Sequence, residues 1–397
     1  MDRISLLPDE LLLRILSLLP TTKDAVATMV LSQRWLPLWK LMRKLVYDDS
    51  YQNIEYGKFS RFVDRSLILH EAPVDTLHFK LVKNSVLLML YNSSHASKEL
   101  IHRVCTLVTL KLKSVTLVDV SSLPSFPTLK KLWLLFVKYP GDEFVKRLLS
   151  NCHVLQDMIV VRVHNDNVTV FTVVVSSLKT LRLGRMSRNV KEGVVIDAPL
   201  LEILDIYDDM GGFCVIENDM PKIVKAGFYV TYSQPGKMMS CITSVKCLTL
   251  CLSTSKEVYP VGAVFHNLLN LNLCTCQTEW LSLLLCMLRG CPNLQSLRLF
   301  KIQSHKLPAA KPRPCLKGPT SVPGCLSSSL KTLIWVAYEG REEEKQVAAL
   351  ILRSGSCLKK VTIFSKATNP NRKLEMLKEL SSIPMRSPTA TCSLIFY

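Results

Sequence analysis

From about Val74 onward, apolar residues recur in the order apolar-x-x-apolar-x-apolar along most of the chain. Copies of this pattern begin at Leu107, Leu129, Leu155, Leu178, Leu201, Ile223 (a weaker copy), Val245, Leu268 and Leu294. Each copy has the alternation of a short strand with one apolar side. Because one strand cannot bury that side alone, we predict that successive strands stack in parallel and share a core.

The copies start 22 to 26 residues apart, which is the period of leucine-rich repeats. Two segments between copies, Asp142–Ser150 and Glu279–Arg289, have apolar residues at helical spacing and acidic residues first, so they predict helices on the outer side. The fold class is therefore predicted as α/β, with a leucine-rich-repeat solenoid over residues 74–302.

The first 47 residues have helical rather than strand periodicity. Pro8 can open a helix that Pro20 stops, and Thr21 with Asp24 forms a capping pair for the next helix. A third short segment contains Trp35 and is interrupted by Pro37. Three short helices have more apolar surface than so small a core can use. Burial against a partner and burial against the rest of the chain both remain open at this point.

The last part of the chain contains two segments that differ in sequence pattern from the repeats. Five prolines between residues 303 and 324 predict a linker or long loop, because proline cannot take part in regular hydrogen bonding. Residues 325–397 then read strand–helix–strand–helix–strand, which is one more repeat-like unit that could cap the array.

Composition narrows the class of protein. Apolar residues make up 48% of the chain, but no apolar run reaches the roughly 18 residues that span a bilayer. The acidic residues near the start do not fit a signal peptide. The cysteines sit mostly inside apolar runs, so a reducing compartment is expected. The sequence spacing of Cys274, Cys276, Cys286 and Cys291 matches no zinc pattern, and we interpret them as core residues.

The formal charge of +18 permits attraction to acidic proteins, phosphorylated ligands or nucleic acid. No acidic residue occurs between Trp280 and Tyr338. A solvated basic face explains this window most simply. The sharper hypothesis is an anion or substrate patch formed by Arg298, Lys301, Lys311, Arg313 and Lys317.

No catalytic, cofactor or metal site is predicted. The chain lacks His-Glu-x-x-His, a phosphate-cradling glycine loop and Gly-x-Ser-x-Gly. The acidic pairs at 48–49 and 208–209 are interpreted as exposed turn residues. Trp133 and Trp335 lie on predicted strands, as core or sheet-face residues.

Three stretches resemble a known family. The opening resembles an F-box, from Asp2-Arg3-Ile4-Ser5-Leu6-Leu7-Pro8-Asp9-Glu10-Leu11 through to Leu31-Ser32-Gln33-Arg34-Trp35. The tail resembles an FBD domain, in Ser321-Val322-Pro323-Gly324-Cys325-Leu326 and Cys357-Leu358-Lys359-Lys360-Val361. With the repeats between them, the chain resembles plant F-box/FBD/leucine-rich-repeat proteins. The implied domains are a three-helix F-box at 1–47, repeats at 74–302, the linker at 303–324 and an FBD module at 325–397.

This resemblance implies the substrate-recognition subunit of an SCF-type ubiquitin ligase, cytoplasmic or nuclear and without chemistry of its own. The F-box would dock on a Skp-type adaptor that bridges to a cullin, and the repeats would bind an unidentified protein substrate. By motif position, the adaptor contacts would be formed or supported by Leu7, Pro8, Leu11, Ile15, Leu19, Leu31 and Trp35.

Two other functions compete with this one. A basic binding protein for an acidic partner or nucleic acid would explain the charge, but the chain has no recognised nucleic-acid motif and few aromatic residues among its basic ones. A small-molecule sensor shares only its general architecture with plant hormone receptors, and is the weakest of the three readings.

Overall fold

The computed structural model describes residues 4–50, 56–87, 105–119, 123–185, 192–208, 211–230, 235–252, 262–302, 321–365 and 367–396. The chain divides into two compact units, Met1–Ala198 and Pro199–Tyr397. Each unit combines helices with parallel strands, so the α/β class predicted from the sequence is confirmed.

The first unit opens with short helices and continues as a parallel sheet. Its α-helices are α1 (Asp9–Leu18), α2 (Thr22–Ala27), α3 (Tyr56–Leu69) and α4 (Asp142–Ser150), and its short 3-10 helices are Ile4–Leu6, Thr28–Val30 and Leu38–Leu41. Its strands are β1 (Lys44–Asp48), β2 (Thr76–Leu87), β3 (Thr109–Leu117), β4 (Lys131–Leu135), β5 (Asp157–Arg162), β6 (Val170–Val174), β7 (Thr180–Arg185) and β8 (Gly193–Asp197). The sheet order is β1-β2-β3-β4-β5-β7, and β6 pairs with β8 separately.

The second unit is a longer parallel sheet in the order β9-β11-β12-β13-β14-β15-β16-β17. Its strands are β9 (Ile203–Asp208), β10 (Phe213–Ile216), β11 (Lys225–Val230), β12 (Cys247–Leu252), β13 (Asn270–Cys274), β14 (Ser296–Phe300), β15 (Thr332–Tyr338), β16 (Lys360–Ser365) and β17 (Thr391–Phe396). Its helices are α5 (Pro235–Ser240), α6 (Trp280–Gly290), α7 (Gly324–Ser328), α8 (Glu342–Ser354) and α9 (Pro370–Ser381).

The repeated apolar pattern coincides with these strands. The residue that opens each predicted copy is buried, and a strand begins two positions later in every case. In the second unit the register aligns buried residues in one row across neighbouring strands: Leu204, Ala226, Leu248, Leu271, Leu297 and Leu333. Stacked strands thus share one core, which is the physical reason that no repeat could fold alone.

The helices between strands follow the sequence prediction closely. The helix predicted at Asp142–Ser150 is α4, and the one predicted from Glu279 is α6, which begins one residue later with Glu279 at its N-cap. In the tail, β15, α8, β16, α9 and β17 follow the predicted strand–helix order. Most of the predicted linker, 303–320, lies outside the described residues. No helix in the described part of the chain is long and apolar enough to cross a bilayer.

The opening module differs from the expectation of three helices. Only α1 and α2 are α-helical, and the third segment consists of 3-10 turns around a stretch without regular helix. Pro37 accounts for this, because a proline lacks the N–H that an α-helix needs there. The predicted capping pair is confirmed: Thr21 accepts a hydrogen bond from the Asp24 N–H, and the Asp24 carboxylate accepts one from the Thr21 N–H.

Candidate functional site

The N-terminal helical module (residues 4–43) has a small core of its own. Its buried members are Leu12, Leu16, Ala25, Trp35, Leu38, Trp39 and Met42, with Leu7 and Leu19 partly buried against them. Trp35 therefore belongs to the core of the module, and its indole N–H donates to the Ser5 hydroxyl at 2.8 Å. Of the predicted adaptor contacts, Leu7, Leu19 and Trp35 can support a docking surface from beneath rather than form its outer face.

A second set of apolar side chains in the module is exposed to solvent. We call the following residues the apolar docking surface: Ile4, Leu6, Leu11, Ile15, Leu18, Val30, Leu31 and Leu36. The exposed fraction reaches 78% at Leu18 and 87% at Val30. An exposed apolar set of this size on a small unit is typical of an interaction site.

Helix α1 explains how the two sets arise. Leu12 and Leu16 are four residues apart and lie on its buried side, whereas Leu11, Ile15 and Leu18 follow the same helical spacing on its exposed side. The predicted contacts Leu11, Ile15 and Leu31 are exposed apolar residues, and Pro8 is exposed at the N-cap of α1. Leu6, Leu18 and Val30 were not predicted, although a second apolar stripe along α1 is visible in the sequence.

Polar contacts fix the module to the sheet of the first unit. The Val46 N–H of β1 donates to the Thr22 hydroxyl at 2.8 Å, and the Lys44 ammonium lies 3.3 Å from the Ser17 carbonyl oxygen. Within the module, Arg34 forms an ion pair with Asp9 at 2.7 Å. The apolar docking surface is therefore held in a set orientation relative to β1.

A groove of about 710 Å³ lies between the module and α3. Its apolar wall includes Val26, Met29, Leu36, Trp39 and Phe62, and its basic edge is formed by Lys40, Lys58, Arg61 and Arg65. Leu36 lines this groove and is also a member of the apolar docking surface. The Lys40 ammonium on this edge already forms an ion pair with Glu71 at 2.9 Å. A partner lying across the groove would meet mainly its apolar wall.

Only Arg298 and Lys301 of the anion patch predicted from the acid-free window lie within the described residues. Arg298 is exposed on β14, and Lys311, Arg313 and Lys317 lie outside the described residues. Lys301 is not available for an external anion: its ammonium lies 2.9 Å from a carboxylate oxygen of Glu339 and 2.9 Å from one of the buried Glu344. These acids are about forty residues away in sequence, outside the window that suggested the patch.

A different basic cluster lies on the exposed sheet face of the first unit. We call Lys44, His78, Lys111, Lys131 and Trp133 the basic face. The register places His78 opposite Lys111 and Lys111 opposite Trp133 on neighbouring strands. The Lys111 ammonium lies 3.5 Å from the centroid of the Trp133 ring, a cation–π contact.

The basic groups of this face influence one another, although Asp157 of β5 lies opposite Lys131 in the register. Burial, together with the nearby charges of Lys131 and Lys44, lowers the pKa of Lys111. Burial and the charge of Lys111 likewise lower the pKa of His78. Like charges held together on a fixed scaffold are typical of a site that binds an anionic group. The sequence analysis did not predict this face, because it depends on which strands become neighbours. The alternating Leu-Lys-Leu-Lys at 110–113 is the sequence feature that could have indicated it.

Other residues singled out in the sequence have structural roles. Both tryptophans were expected in the core or on the sheet face. Trp335 lies in the core and Trp133 lies on the sheet face. The expectation of exposed acidic pairs is wrong for Asp208, which is buried at the end of β9. Asp48 forms an ion pair with Lys80 at 2.7 Å across neighbouring strands.

Comparison with known proteins shows where this chain belongs. A model of the FBD family matches residues 317–363, and a model described as the LRR repeats of FBD-associated F-box protein At5g56370 matches residues 77–227. The "Probable FBD-associated F-box protein At1g32375" of Arabidopsis thaliana is 54% identical over an alignment of 426 positions that covers 100% of both chains. The chain belongs to the FBD-associated F-box protein family.

Further relatives of this FBD-associated F-box protein agree. The "Putative FBD-associated F-box protein At5g50270" of Arabidopsis thaliana is 51% identical over 95% of this chain and 100% of its own. The "F-box/FBD/LRR-repeat protein At5g56420" of the same plant is 41% identical over 100% of this chain and 99% of its own. The resemblance to plant F-box/FBD/leucine-rich-repeat proteins, inferred from the sequence, is confirmed.

Proposed function

We propose that this FBD-associated F-box protein is the substrate-recognition subunit of an SCF-type E3 ubiquitin ligase. The observation that carries the proposal is the apolar docking surface, which the module exposes although it already has a core of its own. Residues 4–43 would act as the F-box, and a Skp-type adaptor would cover the exposed side chains and connect the chain to a cullin.

Burial of this surface by a separate chain would be energetically favourable. Fully burying one Leu or Ile side chain contributes about 1.5–3 kcal/mol, so a few of the exposed residues suffice as anchors of an interface. The groove beside α3 enlarges the area that the adaptor could use.

The proposed role needs no catalytic group in this chain. A receptor that holds the substrate near the conjugating enzyme converts an encounter in solution into a reaction within one complex. The contacts between Thr22 and Val46 matter here, because a fixed module keeps a bound substrate within reach.

Reconstitution tests the ligase proposal. The full-length chain mixed with a purified plant Skp-type adaptor is expected to elute as a single complex with one copy of each. When a cullin is added, it should elute with this complex. Separate elution of folded chain and adaptor, at micromolar concentrations of both, would contradict the proposal.

We further propose that the basic face binds an acidic segment of the protein substrate. Burial lowers the pKa of Lys111, and the charges of Lys131 and Lys44 lower it further, so a carboxylate-rich segment would relieve part of this unfavourable environment. Trp133 adds an aromatic surface against which an extended peptide can pack. The proposal would also give a role to part of the net positive charge of the chain, namely the part that lies on the basic face.

An acidic peptide rich in glutamate is the probe for this face. Its affinity is expected to fall as salt rises, because exposed charges are screened. Replacing Lys111 and Lys131 with glutamine should weaken binding about tenfold, or about 1.4 kcal/mol. The matched control replaces the exposed Lys359 and Lys360 of the second unit with glutamine.

The same titration separates the two candidate functions. If the double variant at 111 and 131 binds the peptide as the control does, the basic face is not the site. If a DNA or RNA oligomer of equal charge binds this face more tightly than the peptide, the nucleic-acid alternative is favoured instead.

A further inference from the structure

Three cysteine thiols converge in the second unit. Cys251 is on β12, Cys274 ends β13, and Cys276 follows two residues later. Leu250 pairs with Leu273, so Cys251 and Cys274 are the next residues along two neighbouring strands. The three Sγ atoms lie within 4.8 Å of one another, with 3.5 Å between Cys251 and Cys276 and 2.7 Å between Cys274 and Cys276.

The cluster is shielded from water. The exposed fractions of Cys251, Cys274 and Cys276 are 3%, 3% and 1%, respectively. Tyr229, Phe300 and Ile302 pack against the three cysteines. The thiols lie on the sheet face opposite the leucine row, since Cys251 alternates with the buried Leu250 and Leu252 of β12. They are therefore not ordinary members of the leucine core.

Backbone donors also lie at the cluster. The N–H groups of Cys276 and Ile302 donate hydrogen bonds to the sulfur atom of Cys274. Outer-shell hydrogen bonds of this kind orient the ligands of a metal site.

We propose that Cys251, Cys274 and Cys276 bind one thiophilic d10 cation, Cu⁺ or Zn²⁺, through three thiolate sulfur atoms. Soft thiolate ligands select these ions, and an apolar shell excludes the oxygen ligands that harder cations need. Each thiol that becomes a ligand releases its proton to solvent, so binding is favoured at higher pH.

Only a small movement is needed to admit the ion. Metal–sulfur bonds of about 2.3 Å place two sulfur atoms about 4 Å apart around an ion with three ligands, or about 3.8 Å apart where a fourth, non-protein ligand completes a zinc tetrahedron. Cys251 and Cys276 are already near that separation, and Cys274 and Cys276 must open by about 1 Å. Cys276 lies beyond the last residue of β13, so it can move without breaking strand pairing.

This grouping differs from the one considered in the sequence. In the sequence, the grouping nearest to a metal site is Cys274, Cys276, Cys286 and Cys291, but its spacing matches no zinc pattern and we interpret these residues as core residues. The structure replaces the last two with Cys251, which lies 23 residues before Cys274 and comes beside it through strand pairing. A repeat array brings such distant residues together at each period.

Metal titration of the reduced full-length chain tests the proposal. Cu⁺, added with a competing chelator, and Zn²⁺ are titrated separately, which distinguishes the two ions. One equivalent of one ion is expected to bind, and X-ray absorption should show a first shell that includes three sulfur atoms. Cys251→Ser and Cys274→Ser should each weaken binding at least about a hundredfold, whereas Cys247→Ser on the same strand should not change it.

Several results would overturn the assignment. One is a reduced wild-type chain that binds less than half an equivalent of either ion. Another is metal binding by Cys251→Ser, with unchanged circular dichroism, that equals the wild-type level. If the Ser variants do not fold, the absorption spectrum of the wild-type chain still decides, since a shell of nitrogen and oxygen atoms excludes this cluster. Loss of two mass units between Cys274 and Cys276 in the freshly purified protein would identify a disulfide instead.

Discussion

Replacing Ile15 and Leu31 together with aspartate is expected to weaken adaptor binding at least about a hundredfold, or about 2.8 kcal/mol. Both side chains are exposed in the free chain, at 38% and 58%, and neither belongs to the core of the module. Covering them with an apolar partner would bury two unpaired carboxylates, which is strongly unfavourable. Calorimetric titration with the Skp-type adaptor measures the loss.

The control for this variant is Leu374→Asp. Leu374 is 52% exposed on α9 in the second unit, so the substitution adds a charge to an exposed leucine outside the docking surface. It should leave the affinity for the adaptor unchanged. The double variant should keep the melting temperature of the wild-type chain within about 2 °C, since exposed substitutions cost little stability. Equal affinity of the double variant and the control would remove Ile15 and Leu31 from the interface.

Replacing Arg162 with methionine is expected to lower the free energy of unfolding by about 3–5 kcal/mol. Arg162 is 2% exposed and contacts Asp166 through two nitrogen atoms, at 2.7 Å and 3.0 Å. It also donates to the Val168 carbonyl oxygen and lies 3.5 Å from a carboxylate oxygen of Glu192. Without the guanidinium, buried acidic groups lose their partner, and methionine restores volume but not charge.

Arg182→Met is the matched control for the Arg162 variant. Arg182 is exposed on the sheet face of β7, and its replacement should cost less than about 1 kcal/mol. Urea unfolding of both variants, compared with the wild-type chain, gives the two free-energy changes. A loss at Arg162 no larger than that at Arg182 would mean that the buried ion pairs contribute little to stability.

The repeats could be predicted because their signal is local. A strand that stacks on its neighbours needs apolar residues at fixed positions, so Leu107 and its equivalents each predict the strand that begins two residues later. Strands outside this spacing, such as β6, β8 and β10, were not predicted. The same holds for α4, whose acidic start and apolar spacing lie within nine residues. The exposed stripe of α1 was also partly predictable, from the surplus of apolar residues around Leu11 and Ile15.

Features that depend on register could not be predicted. Lys301 was assigned to an anion patch because no acidic residue is near it in sequence, yet Glu344 reaches it from the helix after the next strand. The basic face arises only when β3 and β4 become neighbours and bring Lys111 to Trp133. The Cys251 thiol joins Cys274 for the same reason. In a repeat array, residues about one period apart in the sequence become neighbours, and the strand register decides which residues lie side by side.

The apolar docking surface and the basic face belong to the same compact unit. β1 carries the contact with α2 on one side and pairs with β2 on the other, and β2 pairs with β3, which bears Lys111. A substrate segment on the basic face would therefore be held at a fixed distance from the adaptor. Such rigidity favours transfer to a limited set of substrate lysines, because effective concentration depends on geometry.

Side-chain labelling of the adaptor complex tests the central claim most directly. Hydroxyl radicals generated in solution label exposed leucine and isoleucine side chains, and mass spectrometry of the digested chain gives the extent of labelling. With adaptor bound, labelling should fall severalfold at Leu11, Ile15, Leu18 and Leu31 and remain unchanged at Leu374. If the adaptor binds while these four residues stay as reactive as in the free chain, another surface docks it and the account given for residues 4–43 is wrong.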